Sequence, residues 1–165
     1  MDVRLATLAD AEAIRSIYNA EVTGSSATFD MVLRSIDEQH RWLAEHSGAH
    51  PAIVAVQNTA VLGFGCLSTY RARPGYTTTV EDSVYIDPSH RGRGMGHAIL
   101  DELLRLATAH GFHAVMARIA DGNPASIALH RAAKFDLVGV ELEVGRKFGR
   151  WLDVTLMQRL LESGY

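Results

Sequence analysis

A single cysteine, Cys66, stands among the 165 residues, so the chain has no internal disulfide and is not a cross-linked secreted scaffold. Long apolar runs are missing as well. Nothing approaches the ~20 residues that a membrane-spanning helix needs, and Met1-Asp2-Val3-Arg4 lacks the apolar core expected of a signal peptide. Charge of one sign is also lacking: 16 Lys and Arg against 19 Asp and Glu leave a net charge of −3. That balance carries no basic footprint for nucleic acid or an anionic membrane. Repeats, low-complexity tracts and linkers are absent too, and the 47% hydrophobic content is enough to bury a core. A cytoplasmic protein with one domain over residues 1–165 is expected. Cys66 lies in an apolar, strand-like run and reads as a buried small side chain rather than a nucleophile.

The most informative stretch present is Val84 to Gly96. A β-branched and aromatic run, Val84-Tyr85-Ile86, breaks at Asp87-Pro88, turns through Ser89-His90-Arg91-Gly92-Arg93-Gly94-Met95-Gly96, and enters a periodic segment ending near His110. The expected order is strand, loop, helix. Glycines let a backbone come close to a ligand, and the first turn of a helix offers unpaired N–H groups with partial positive charge. Such a site takes anions, phosphate above all, and Arg91 and Arg93 add formal charge. Two familiar phosphate motifs fail here. A P-loop needs Gly-Lys-Ser/Thr where His97-Ala98 follows Gly96, and the glycine spacing is wrong for a dinucleotide fingerprint. What remains is Arg91-x-x-Gly94-x-Gly96.

Along the chain, Val3 to Ala6 alternates like a short strand. Thr7 to Asp10 then offers caps for a helix with Ala13, Ile14, Ile17 and Tyr18 on one stripe. A polar loop follows, in which Phe29 either packs or lines a site. Ser35-Ile36-Asp37-Glu38 reads as a capping box opening a helix to His46, with Ile36, His40, Leu43 and Ala44 turned inward. His46 and His50 have metal-like spacing, but Gly48 and Pro51 break the helix between them, and no metal is expected. Ala52–Val56, Val61–Tyr70 and Tyr76–Ile86 read as three consecutive strands, the first two joined by a turn at Gln57-Asn58-Thr59-Ala60. The helix after the glycine loop buries Met95, Ile99, Leu100, Leu103, Leu104, Leu106 and Ala107. Ala114–Ile119 is a strand that completes a parallel crossover. Asn123-Pro124 starts another helix, and 135–144 with 150–159 form a closing hairpin.

With Arg91-x-x-Gly94-x-Gly96 following Val84-Tyr85-Ile86, the sequence resembles the GNAT N-acetyltransferases, whose corresponding motif binds the pyrophosphate of acetyl-coenzyme A. Four further stretches are similar to the phosphinothricin and methionine sulfoximine N-acetyltransferase branch. They are Tyr18-Asn19 with Thr28-Phe29-Asp30, Thr79-Val80-Glu81-Asp82-Ser83-Val84-Tyr85, Asn123-Pro124-Ala125-Ser126 with Leu129-His130, and Gly149-Arg150-Trp151-Leu152-Asp153-Val154. The resemblance spans nearly the whole chain. It implies an α/β (α+β) fold with a mixed, mostly antiparallel central sheet flanked by about four helices.

An amine must lose a proton before it can attack a thioester, and a peptide α-amine of pKa about 8 arrives mostly charged near pH 7. By resemblance Glu81 is the general base, which requires partial burial or a water relay. The resemblance also implies that the Val84-Tyr85-Ile86 edge supplies an oxyanion N–H and pairs with the pantetheine, while Arg91, Gly92, Arg93, Gly94, Met95, Gly96 and His97 hold the diphosphate. Asn123 either contacts the cofactor or caps a helix. His130 stands where many relatives have a tyrosine, as proton donor to the leaving thiolate or as a core residue. Arg73 would clamp a substrate carboxylate, with Phe29 and Tyr76 as walls and Lys147 reaching in from the closing hairpin.

Two departures stand out. Lys134 replaces a usual glycine, and Tyr76-Thr77-Thr78-Thr79 lacks the tryptophan or arginine often found before Thr-Val-Glu. The expected activity is direct acetyl transfer, without an acyl-enzyme, to the α-amine of a small amino acid or analogue, by a homodimer whose C-terminal strands meet. A protein N-terminal or lysine acetyltransferase, and a coenzyme A-binding module without turnover, are the rival readings.

Overall fold

The structure, a computed structural model, describes residues 1–162. Its elements follow the expected order: β1 (Asp2–Leu5), α1 (Ala11–Gly24), α2 (Ile36–Glu45), β2 (Ala52–Gln57), β3 (Ala60–Thr69), β4 (Thr79–Ile86), α3 (Met95–Ala109), β5 (Ala114–Ala120), α4 (Pro124–Ala132), β6 (Asp136–Lys147) and β7 (Arg150–Leu160). The strands form one sheet in the order β1-β2-β3-β4-β5-β7-β6. Every neighbouring pair is antiparallel except β4 and β5, the pair joined through α3. The mixed, mostly antiparallel sheet with four helices is the fold that the resemblance implied.

Strand alternation sorts the apolar side chains onto two faces. On one, Ile53, Ala55, Leu67, Val80, Val115, Ala117 and Ile119 pack with α3 through Ile99, Leu100, Leu103, Leu104 and Ala107. On the other, Val54 and Phe64 pack with Ile14, Ile17, Tyr18 and Val22 of α1. Cys66 is buried, and burial pushes its thiol up to about 12, so it is inert. The helix α3 lies close to the sheet because β3 has glycines beneath it: a Cβ on Gly65 would sit 2.5 Å from Ile99 Cγ2 and 2.9 Å from the Ser83 carbonyl.

The capping box is formed, with Ser35 and Glu38 each accepting from the other's backbone N–H. The expected inward face of α2 is wrong by part of a turn. Ile36, His40 and Ala44 are exposed; Gln39 is buried, and Trp42 and Leu43 are half-buried. Aromatic contact sets this rotation, since Trp42 meets Phe64 edge-on at 5.8 Å and stacks on His46 at 4.1 Å. The third expected strand also starts late, at Thr79 rather than Tyr76, because Pro74–Tyr76 is a 3₁₀ turn closed by Thr77 N–H donating to the Pro74 carbonyl. The last hairpin is longer than expected, with β6 running on to Lys147 through two register shifts. Lys134 adopts φ +63, the conformation that glycine takes freely, so the turn after α4 forms despite the departure in sequence.

Candidate active site

The glycine loop leaves β4 at Ile86 and tightens at Asp87, whose side chain accepts from Ser89 N–H at 2.8 Å. Gly92 and Gly94 take φ +74 and +82, which lets the chain fold back and open α3 at Met95. The first intrahelical bond here runs from Ala98 N–H to the Gly94 carbonyl at 3.1 Å, so the N–H groups of Met95, Gly96 and His97 lack acceptors within the helix. They border a cavity of about 530 Å³ that Val84, Tyr85, Ile86, Arg91, Gly92 and Asn123 also line. A Cβ at Gly92 or Gly94 would meet no protein atom within 4 Å. Cavity, helix N-terminus and open glycine backbone fit a diphosphate with a long organic tail. The Arg91 guanidinium pairs with the buried carboxylate of Glu21. Arg93 is exposed and does not line the cavity.

Past this cavity the sheet opens. Pairing of β4 with β5 is confined to Thr79 with Ala114, Val80 with Val115 and Glu81 with Met116, although β4 continues to Ile86 and β5 to Ala120. On its other side β4 stays paired with β3 through Ile86. The β5-facing backbone of Ser83 to Ile86 is therefore left to pair with something other than β5. A second cavity, about 100 Å³, fills the gap between the parting strands; Asp82, Tyr85, Ala117, Arg118, Asn123 and His130 are among its lining.

Glu81 sits where the strands part, on the same face as Met116 and Arg118, and is half-buried. Burial pushes its carboxyl above the ordinary glutamate range; the Arg118 guanidinium pulls it back in part, and the Asp82 carboxylate adds to the rise. His130 is buried against the opposite face. Its Nδ1 lies 2.7 Å from the Ser126 carbonyl and its Nε2 lies 2.9 Å from Asp82 Oδ2. Burial works against the charged ring, but the bond and charge of Asp82 outweigh it, and the Ser126 carbonyl adds to them, so the pKa is raised. Asn123 Oδ1 caps α4 by accepting from Ala125 and Ser126 N–H at 3.1 and 3.3 Å, and the residue borders both cavities.

The residues expected around the acceptor are less closely gathered. Phe29 borders a third cavity, about 480 Å³, between the α1–α2 loop and α2, and presses on Gly145, where a Cβ would lie 2.3 Å from its ring. Tyr76 is edge-on to Tyr70 at 5.7 Å, and Arg71, not Arg73, covers both rings. Arg73 is exposed, and neither it nor Tyr76 lines the three cavities. Lys147 is buried with Nζ donating to the Thr28 carbonyl at 2.8 Å and the Glu21 carbonyl at 3.4 Å. It ties the closing hairpin to the α1–α2 loop instead of offering a free cation, which corrects its expected reach into an open pocket.

Sequence reasoning missed Asp82, Arg118 and Glu21. Asp82 adjoins Glu81, and period-two alternation places consecutive side chains on opposite faces; that signal was available. Arg118 and Glu21 become neighbours of Glu81 and Arg91 only through strand pairing and helix packing, and no local pattern marks them.

The profile of the Acetyltransferase (GNAT) family matches residues 11–135. The chain is 37% identical to the L-methionine sulfoximine/L-methionine sulfone acetyltransferase of Salmonella typhimurium, covering 99% of this chain and 96% of that one. Among solved structures it superposes with TM-score 0.94 and 40% identity on a phosphinothricin acetyltransferase from Sinorhizobium meliloti in complex with AcCoA, covering 99% and 89% of the two chains. It superposes with TM-score 0.95 and 37% identity on a ribosomal-protein-alanine N-acetyltransferase from Brucella melitensis, covering 98% and 100%. A profile match over most of the chain, full-length relatives above 30% identity and a glycine loop beneath a parted β4–β5 pair agree: the chain belongs to the GNAT acetyltransferase family and is an acetyl-coenzyme A-dependent N-acetyltransferase.

Proposed function

We propose that this enzyme acetylates the α-amine of a free amino acid or close analogue, with phosphinothricin, methionine sulfoximine and methionine sulfone as the acceptors to try first. The observation that carries this reading is Glu81, half-buried where β4 and β5 separate, with Arg118 on the same face. A carboxylate with a raised pKa is a better base than a solvated one and can take the ammonium proton, directly or through one water. The Arg118 guanidinium already pairs with Glu141 at 2.9 Å, so in this proposal the exposed Arg73 takes the substrate carboxylate. Phe29 and Tyr76 would contribute walls, and Lys147 would hold the loop that carries Phe29.

Acetyl-coenzyme A supplies the acyl group as a thioester. Met95, Gly96 and His97 would bind its diphosphate through N–H groups, with Gly92, Gly94 and Arg91 alongside and Arg93 contributing long-range charge. The Val84 to Ile86 edge would align the pantetheine amides and donate an N–H to the developing oxyanion, while Asn123 borders the same path. Transfer is direct, since Cys66, the one thiol, is buried and inert. His130 stands on the leaving-group side. We further propose a cytoplasmic homodimer without nucleic-acid or membrane partners. No helix among the described residues is long and apolar enough to cross a membrane.

The test is thiol release from acetyl-coenzyme A across free amino acids and their sulfone, sulfoximine and phosphinate analogues. Saturable turnover of one of these supports the reading. Turnover confined to peptides bearing a free N-terminus or lysine would replace it with the protein-acetylating reading, which the Brucella melitensis relative favours. Coenzyme A binding with no turnover of either would leave a sensor module.

A further inference from the structure

The proposed reaction assigns a task to Glu81 and leaves its neighbour without one. Asp82 is 5% exposed, an expensive place for a carboxylate, and packing alone does not require an acid there. Its Oδ2 meets His130 Nε2 at 2.9 Å, while Oδ1 is buried without a hydrogen-bond partner and the residue lines the gap between β4 and β5. The other ring nitrogen, Nδ1, faces the Ser126 carbonyl at 2.7 Å, and a carbonyl can only accept, so Nδ1 carries a proton. Between Nε2 and Oδ2 there is then room for one mobile proton, and a carboxylate on that line keeps it in place. Phe135, edge-on to the ring at 4.9 Å, fixes the plane from the α4–β6 side.

We propose that Asp82 is a positioning residue that holds His130 charged and oriented at the β4–β5 gap, so that the pair stores a proton on the face of β4 opposite Glu81. This rests on the acetyltransfer reading above. Consecutive residues on one strand then serve the two proton movements separately: Glu81 takes a proton from the amine on one face, and the pair on the other gives one to the leaving group. As the amine nitrogen bonds to the acetyl carbon and the thioester C–S bond breaks, sulfur keeps the bonding electrons and takes the mobile proton, leaving neutral imidazole and a carboxylate. Solvent re-protonates the pair, and Glu81 releases its proton in turn. The titratable groups that border the gap from the Glu81 face do not replace Asp82. Arg118 from β5 is a cation that would oppose a charged ring, and burial keeps the Tyr85 phenol of β4 and the Cys66 thiol of β3 neutral.

The test starts with the full-length wild-type protein and nitrogen NMR of the His130 ring, which needs no acyl donor. Two protonated ring nitrogens at pH 7.5 are expected; one bare nitrogen there would overturn the proposal without any variant. In Asp82→Asn, which keeps the shape, the ring midpoint should fall by at least about one pH unit, a tenfold change, to below the free-histidine value near ~6.5. An unmoved midpoint would also overturn it. In turnover, the alkaline limb of kcat should move down by the same interval with the KM for acetyl-coenzyme A unchanged. Asp82→Asn should slow a His130→Phe background no further. Multiplying effects would mean that Asp82 acts independently of His130. If wild type turns over no acceptor while its ring titrates as described, the acetyltransfer reading fails and the pairing stands. With turnover intact and the ring midpoint unmoved in the variant, the pairing fails and the reading stands.

Discussion

In the proposed reaction a glutamate becomes a usable base through its surroundings. Glu81 sits in a half-buried stretch of β4, and loss of solvent raises its carboxyl above the ordinary range near ~4.3, with Arg118 limiting the rise. A base must be deprotonated to work, so kcat/KM should fall as the pH drops through that raised value, and the acid limb should lie above the free-glutamate position. Glu81→Gln should remove this limb and lower kcat by roughly 10²- to 10⁴-fold, while calorimetric binding of coenzyme A stays at the wild-type level. A variant that keeps full turnover would move the base elsewhere. Glu81 was legible in the chain because Thr79-Val80-Glu81, inside an expected strand, resembles the family's motif. Lys147 was legible only as a charge, since three-dimensional packing determines whether its ammonium faces a ligand or the Thr28 carbonyl.

At the scale of elements, α3 approaches β3 closely, with Ile99 and Leu103 set directly over the strand. Gly65 allows that approach. In Gly65→Ala the new methyl would meet the Ser83 carbonyl at 2.9 Å as well as Ile99 and Leu103, and backbone cannot swing away as a side chain can. The expected loss is about 1–3 kcal/mol, read as a Tm lower by roughly 2–4 °C for each kcal/mol. The turn after α4 gives the opposite expectation. Lys134 holds φ +63, so Lys134→Gly should relieve strain and, after the entropy that glycine costs, stabilise by about 0.5–1 kcal/mol in urea unfolding. Local pattern identified both helices correctly, because a periodic apolar face and an Asn-Pro start are short-range signals. The rotation of α2 was beyond it, since an aromatic partner on another element, Phe64, decides which face turns in.

For the whole molecule the prominent surface feature is β6, the edge strand opposite β1, with Val138, Val140, Leu142 and Val144 each about half exposed or more. An open strand edge with apolar side chains is a template for pairing. A second copy laid along it would account for the proposed homodimer. Light scattering should give twice the 18.0 kDa chain mass, and Leu142→Glu should shift the protein to monomer. A monomer at micromolar concentration in the wild type would remove the dimer.

By itself the sequence determined the order of elements, the anion loop and the family, because each rests on neighbouring residues: periodicity, caps, glycines at fixed spacing. Tertiary structure alone decided which charges meet. Glu21 reached Arg91, Arg118 reached the surroundings of Glu81, Asp82 closed on His130 and Lys147 was consumed by carbonyls. Those partnerships join residues dozens of positions apart, and an ionisable group takes its chemistry from whatever lies within a few ångströms in space, however distant in the chain.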